Sequence, residues 1–180
     1  MIKTMKRICH WIDTINYGVG RMVSWVTLLL VVTVFTDVVM RYCLRISFVS
    51  VQELEWHLFA FIFLMGAGYT LLKDGHVRVD IIYQKLSPKA RAWVNLLGLL
   101  FFLFPGCYMI IQTSIPFVNN SYQILENSPD PGGIPFRFII KSTIPIGFML
   151  VSLQGISMLL KNLMIVMNVP QDTPNQKKEQ

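Results

Sequence analysis

The sequence predicts an all-α integral membrane protein with four transmembrane helices, both termini in the cytoplasm, and amphipathic helices lying at the membrane interface. Three observations carry that expectation. Of the 180 residues, 53% are hydrophobic and only 14% are charged, against about a quarter charged in an ordinary soluble domain. The apolar residues fall in four long blocks, each able to cross a ~30 Å hydrocarbon core at ~1.5 Å per residue. The lysines and arginines fall unequally between the segments joining those blocks. Such a composition excludes a disordered chain. The blocks also exclude membrane strands, which need only ~10 residues of alternating character.

The first predicted span, 22–40, runs from Met22 to Met40 between Arg21 and Arg41, with Asp37 its only charge. It starts too late and is too long for a cleaved signal peptide, and a signal-anchor role suits it better. Ahead of it, Ile8, Trp11, Ile12, Ile15 and Val19 recur at helical spacing, the pattern of a helix lying flat on a leaflet. The second span, 51–72, follows Ser50, which precedes Glu53 by the spacing of a capping box, and Gly75 can close it. Val79, Ile82, Tyr83 and Leu86 form a second interfacial pattern. The third span, 92–115, follows Ser87-Pro88, a helix cap with proline at the first helical position. A connection from Pro116 to Pro135 then carries the run Ser128-Pro129-Asp130-Pro131-Gly132-Gly133-Ile134-Pro135. Its prolines and glycines specify a shaped turn suited to contact with another protein. The fourth span is 138–160, with Lys141 near its start. Residues 1–162 thus form one membrane domain, and 163–180 a polar cytoplasmic tail. Pro105 and Pro145 should kink their spans. Gln112 and Gln154 offer interhelical hydrogen bonds, and Gly66-Ala67-Gly68 permits close helix approach.

Twelve of the sixteen Lys and Arg residues lie in the N-terminal segment, the second connection and the tail; three (Arg41, Arg45, Arg137) lie in the other two connections. The positive-inside rule puts the richer segments in the cytoplasm. Topology therefore accounts for the net charge of +6, with no nucleic acid needed. Trp11, Trp25, Trp56 and Trp93 lie near predicted boundaries as anchors, and Trp11, Lys85, Arg91 and Trp93 are expected at the membrane surface.

Little in the chain points to chemistry. Cys9, Cys43 and Cys107 are isolated, and no CxxC pair suggests zinc or a dithiol relay. His57 is the one intramembrane histidine, too few to hold a haem between helices. Glu53 and His57 stand four apart, a spacing that allows two metal ligands but more often means an interfacial hydrogen bond. No catalytic residue, cofactor or metal is expected, nor an internal repeat of the transporter kind. Asp37 is costly if it faces lipid, and Arg41, one turn on, can pair with it. Two roles stay open for it: helix packing, or the coupling carboxylate of an independent small proton- or ion-driven transporter. Arg137 and Lys141 read as boundary anchors or partner contacts. A membrane enzyme or redox anchor is the remaining class.

Taken together, Gln52-Glu53-Leu54-Glu55-Trp56-His57-Leu58-Phe59, Gly66-Ala67-Gly68-Tyr69-Thr70 and His76-Val77-Arg78-Val79-Asp80 resemble the small membrane subunit of tripartite ATP-independent periplasmic (TRAP) transporters. Asp130-Pro131-Gly132-Gly133-Ile134-Pro135, Lys141, Pro145-Ile146-Gly147-Phe148 and Gln154-Gly155 look like a branch of that family. The resemblance spans roughly residues 20–162. It implies a non-catalytic subunit in the bacterial inner membrane, bracing a large membrane subunit that carries the sodium and substrate sites. It also implies a soluble periplasmic protein that captures an organic acid and docks on the pair. On this resemblance Asp37, Glu53, Glu55, His57, Gly66, Gly68 and Gln154 are expected toward the large subunit. Arg41, Arg45, Glu53, Asp130 and Arg137 are expected to help dock the binding protein.

Overall fold

The computed structural model describes residues 2–75 and 86–169. The second predicted interfacial pattern except Leu86, together with His76, Asp80 and Lys85, lies outside the described residues, as does the tail from Pro170. Four helices are long and apolar enough to cross a membrane: α1 (Ile2–Leu44), α2 (Val49–Leu72), α3 (Pro88–Gln123) and α4 (Phe138–Val166). No strand occurs among the described residues. The chain is a multi-pass membrane protein, as its composition predicts.

Each helix except α2 runs well past its predicted span, because hydropathy reads only the part that meets hydrocarbon. At ~1.5 Å per residue, the 43 residues of α1 measure about 64 Å, twice the hydrocarbon thickness. The stretch expected to be a separate interfacial helix is instead the unbroken first half of α1. Its stripe is divided: Ile12 is buried and Val19 half-buried, while Ile8, Trp11 and Ile15 are exposed, and the buried face is completed by Cys9 and Asn16. The Cys9 thiol reaches the Ser157 carbonyl of α4 at 3.6 Å. Packing against α4 removes the need for a bend between the two halves.

The termini obey local chemistry with three departures. Ser87 caps α3 as predicted, its Oγ accepting from the Ala90 N–H at 3.3 Å ahead of Pro88. The capping box at α2 does not form: Phe48 takes the N-cap position without a side-chain cap, because the Glu53 carboxylate is drawn to another partner. At the other end of α2 the left-handed residue is Asp74 (φ 57°), not Gly75, whose N–H returns to the Thr70 carbonyl at 3.0 Å. This is Schellman-type closure. Pro116 lies inside α3 rather than ending it. Proline costs a helix one hydrogen bond, and the neighbouring Thr113 and Ser114 hydroxyls bond to carbonyls of the preceding turn. The third connection thus narrows to residues 124–137. A π-helical turn, Leu99–Leu103, precedes Pro105, and another, Met40–Leu44, ends α1 at Arg45 in the left-handed region (φ 55°).

Helix α4 packs on each of the other three. On its α2 side Gly147 meets the Leu64 backbone so closely that a Cβ there would stand 2.6 Å from the carbonyl oxygen. Gly68 of α2 lies on the Asn16 side chain of α1, where a Cβ would collide with Oδ1. Gly66 is different, with nothing nearer its would-be Cβ than Val23 Cγ1 at 3.6 Å. Of the predicted small-residue pair, Gly68 alone is required by close approach.

Candidate functional site

The polar side chains gather at two ends of the bundle. At the end holding the 124–137 connection, Glu53 on α2 is buried, 4% exposed. It accepts hydrogen bonds from Ser128 Oγ, from the Ile134 N–H at 2.5 Å, and from the Arg137 guanidinium at 3.1 Å. One carboxylate thus ties the start of α4 and two points of the connection to α2. Gly133 stands against Ser128 and Glu53, with no room for a Cβ. Gly132 adopts φ 83°, and the Gly133 N–H donates to the Asp130 carbonyl at 3.0 Å, closing the turn that the proline-glycine run predicts.

A second ion pair joins the two ends of the connection: Lys141 with Glu126. The Lys141 ammonium also sits 4.1 Å from the Phe117 ring centre, a cation–π contact. Its hydrogen bond holds the Glu126 carboxyl below the ordinary carboxylate range. Arg137 lies 5.4 Å from the Trp56 ring centre. Arg137 and Lys141, expected from sequence as boundary anchors or partner contacts, are each engaged with a carboxylate of this chain. Beyond this framework the loop presents Pro129, Asp130, Pro131 and Gly132 as an exposed, shaped ridge.

The remaining predicted residues divide. Asp37 is buried and paired with Arg41 one turn away, as its spacing allows. Arg45 is exposed where α1 ends. The half-buried Glu55 has one oxygen, Oε1, without a hydrogen-bond partner among the described residues. His57 turns Nδ1 to the Glu53 carbonyl at 2.5 Å and stacks on Trp56, so the Glu53–His57 spacing serves helix geometry. No group of three metal-ligating side chains occurs among the described residues. Trp11 and Trp93 are exposed, and Arg91 is half-buried with Nε donating to the Leu86 carbonyl at 3.0 Å. The three cysteines are free, and Cys43 alone is exposed.

Gln154 is buried and makes the interhelical hydrogen bonds expected of it, within a network at the opposite end whose other members sequence reasoning misses. Asp13 of α1 accepts from Gln154 Nε2 at 3.0 Å and Ser157 Oγ at 2.8 Å, and pairs with Lys161. Asn16 Nδ2 donates to Gln154 Oε1 at 3.0 Å. Asn95 donates to Asn162 at 3.1 Å, joining α3 to α4. A signal for it exists: Asp13, Asn16 and Gly20 share one helix face, as do Gln154, Ser157 and Lys161. Glu53, Asp37, Gly68 and Gln154, four of the seven residues expected toward a large subunit, are buried within this chain. Polarity in a single sequence cannot separate contacts between a chain's own helices from contacts with a partner.

Comparison with known proteins agrees with this architecture. The family described as "Tripartite ATP-independent periplasmic transporters, DctQ component" matches residues 30–164. A Haemophilus influenzae protein that carries the provisional name TRAP transporter small permease protein is 26% identical over 133 residues, covering 73% of this chain and 80% of its own. No solved structure matches.

Proposed function

Since the chain belongs to the DctQ component family of tripartite ATP-independent periplasmic transporters, we propose that it is the non-catalytic small membrane subunit of a sodium-coupled uptake system for organic acids. In this reading it lies in the bacterial inner membrane with both ends in the cytoplasm. It braces a large subunit that holds the sodium and substrate sites, and it helps receive a periplasmic binding protein. The observation that carries the docking role is the 124–137 connection, drawn onto Glu53 and closed by Glu126–Lys141. A preorganised ridge loses less entropy on docking than a loose tether. The Asp37–Arg41 pair supports a packing role for Asp37 over an independent ion-coupled transporter.

Reconstitution tests the proposal. Liposomes holding this chain alone should take up no carboxylate, and uptake should appear only with the large subunit and binding protein. Uptake by the chain alone would refute it. Charge reversal at Asp130 or Arg45, both exposed, should weaken docking in a salt-dependent way. Cys43 is a native reporter of orientation, since Cys9 and Cys107 are buried. A membrane-impermeant maleimide should label it from the periplasmic side, and labelling only from the cytoplasm would reverse the topology.

A further inference from the structure

A groove of about 510 Å³ opens between α1 and α2, lined by Gly20, Ser24, Thr27, Phe63, Gly66 and Thr70 among others. Its walls look polar by composition but are not polar in effect. The Ser24, Thr27 and Thr70 hydroxyls donate to the Gly20, Val23 and Gly66 carbonyls of their own helices. Their protons are therefore engaged, and what the groove offers an occupant is a smooth, largely apolar channel. From Thr70 back to Ile62 it runs about 12 Å along α2 at ~1.5 Å per residue, a length suited to part of an acyl chain.

The mouth of the groove has another character. Tyr69 lines it, and the Tyr17 and Tyr69 rings lie 6.1 Å apart. The Lys73 ammonium is held over both rings, 5.7 and 5.9 Å from their centres. Arg21, exposed on α1, follows Tyr17 by one helical turn and so shares its face. One cation and two phenols thus meet where α2 ends and the apolar channel begins, with Arg21 a second cation on the Tyr17 face of α1. We propose that this groove binds an anionic diacyl phospholipid, with one acyl chain between α1 and α2 and the phosphate at Lys73 and Arg21. The charge at the mouth and the satisfied hydroxyls along the wall select this occupant over a polar partner helix. With both termini in the cytoplasm, the lipid belongs to the cytoplasmic leaflet.

The test uses the full chain purified with its partner subunits, and phosphatidylglycerol and phosphatidylethanolamine as probes, with retained lipid counted by native mass spectrometry after detergent exchange. Phosphatidylglycerol should be retained in preference to phosphatidylethanolamine. Lys73→Gln and Arg21→Gln should each lower its retention about fivefold, the worth of one basic residue at an anionic surface. Gly66→Leu should block the channel and displace the lipid with the cations intact. Should that variant fail to fold, the two surface variants still decide the matter. Equal retention of the two lipids, or unchanged retention in Lys73→Gln/Arg21→Gln, overturns the proposal. So does a photocrosslinker at Ser24 that captures a protein rather than lipid. The count requires no transport, so loss of uptake in the reconstitution would leave it standing.

Discussion

Gly147→Ala tests a close backbone approach between α4 and α2. The added Cβ would lie 2.6 Å from the Leu64 carbonyl oxygen, 3.0 Å from its carbon and 3.3 Å from its Cβ. Carbon and oxygen in favourable contact sit at ~3.3 Å or more, so α2 and α4 must part by about 0.7 Å. No side-chain rotation relieves the strain, because the two nearest atoms are backbone. Overpacking of this kind costs ~1–3 kcal/mol, and alanine's better helix propensity returns at most ~1 kcal/mol. A net loss of about 1–2 kcal/mol is expected, roughly a five- to thirtyfold rise in the unfolded population. Gly66→Ala is the matched control: its Cβ would meet only Val23 Cγ1, at an ordinary 3.6 Å, so it should be neutral or slightly stabilising. Unfolding by sodium dodecyl sulfate in mixed micelles, followed by circular dichroism, compares the two. If Gly147→Ala is as stable as Gly66→Ala, α2 and α4 do not approach as closely as their backbones indicate.

Two further outcomes concern the 124–137 connection. Glu53→Gln removes the charge that Arg137 faces and places an amide near the Ile134 N–H. Limited proteolysis should then cut between residues 124 and 137 much faster, while the helices stay intact; an unchanged cleavage rate would show that Glu53 does not restrain the loop. The Glu126–Lys141 pair sets a pH dependence. Because Glu126 titrates below its ordinary value, its contribution is fully present above the unfolded carboxylate range, and it is lost as pH falls through the folded value. Protease resistance of the connection should be flat from neutral pH to about 5 and should drop below about 4. Glu126→Gln should remove its share of that drop, and an identical acid profile in the variant would discount the pair.

The sequence displays what hydrocarbon demands and conceals what the helices demand of one another. Four blocks of apolar residues are visible because a bilayer tolerates almost nothing else at that length. The continuation of α1 back to Ile2 is not visible, since its first half is amphipathic and looks the same lying on lipid or on α4. Ser87-Pro88 announces its cap correctly, the capping residue and its target being three positions apart. The Ser50–Glu53 capping box fails for the opposite reason. Glu53 has a better partner 84 positions away in Arg137, and local patterns are blind to that. Pro116 resembles a stop because proline ends most soluble helices, whereas here the helix continues through it to Gln123. Glu53, Asp130 and Arg137 do lie together, as a docking surface would require. Only the fold shows that Glu53 is buried beneath the 124–137 loop as its peg and is not part of its exposed face.

The distribution of charge within the bundle supports a bracing role more directly than does any single residue. A buried or half-buried ion pair contributes little net stability, but it makes alternative pairings expensive. Helix α4 is fixed this way at both ends: Arg137 at its start is bound to Glu53 of α2, and Lys161 near its finish to Asp13 of α1. Between those points Gly147 holds it against the α2 backbone, and just past Lys161 Asn162 links it to Asn95 of α3. Sliding α4 past α2 would break the Glu53 cluster and the glycine contact together, and sliding it past α1 would strand Asp13. A helix tethered at each end and packed on three neighbours is poorly suited to the large displacements of a transport cycle. It is well suited to holding its companion helices still, as the proposed bracing role requires.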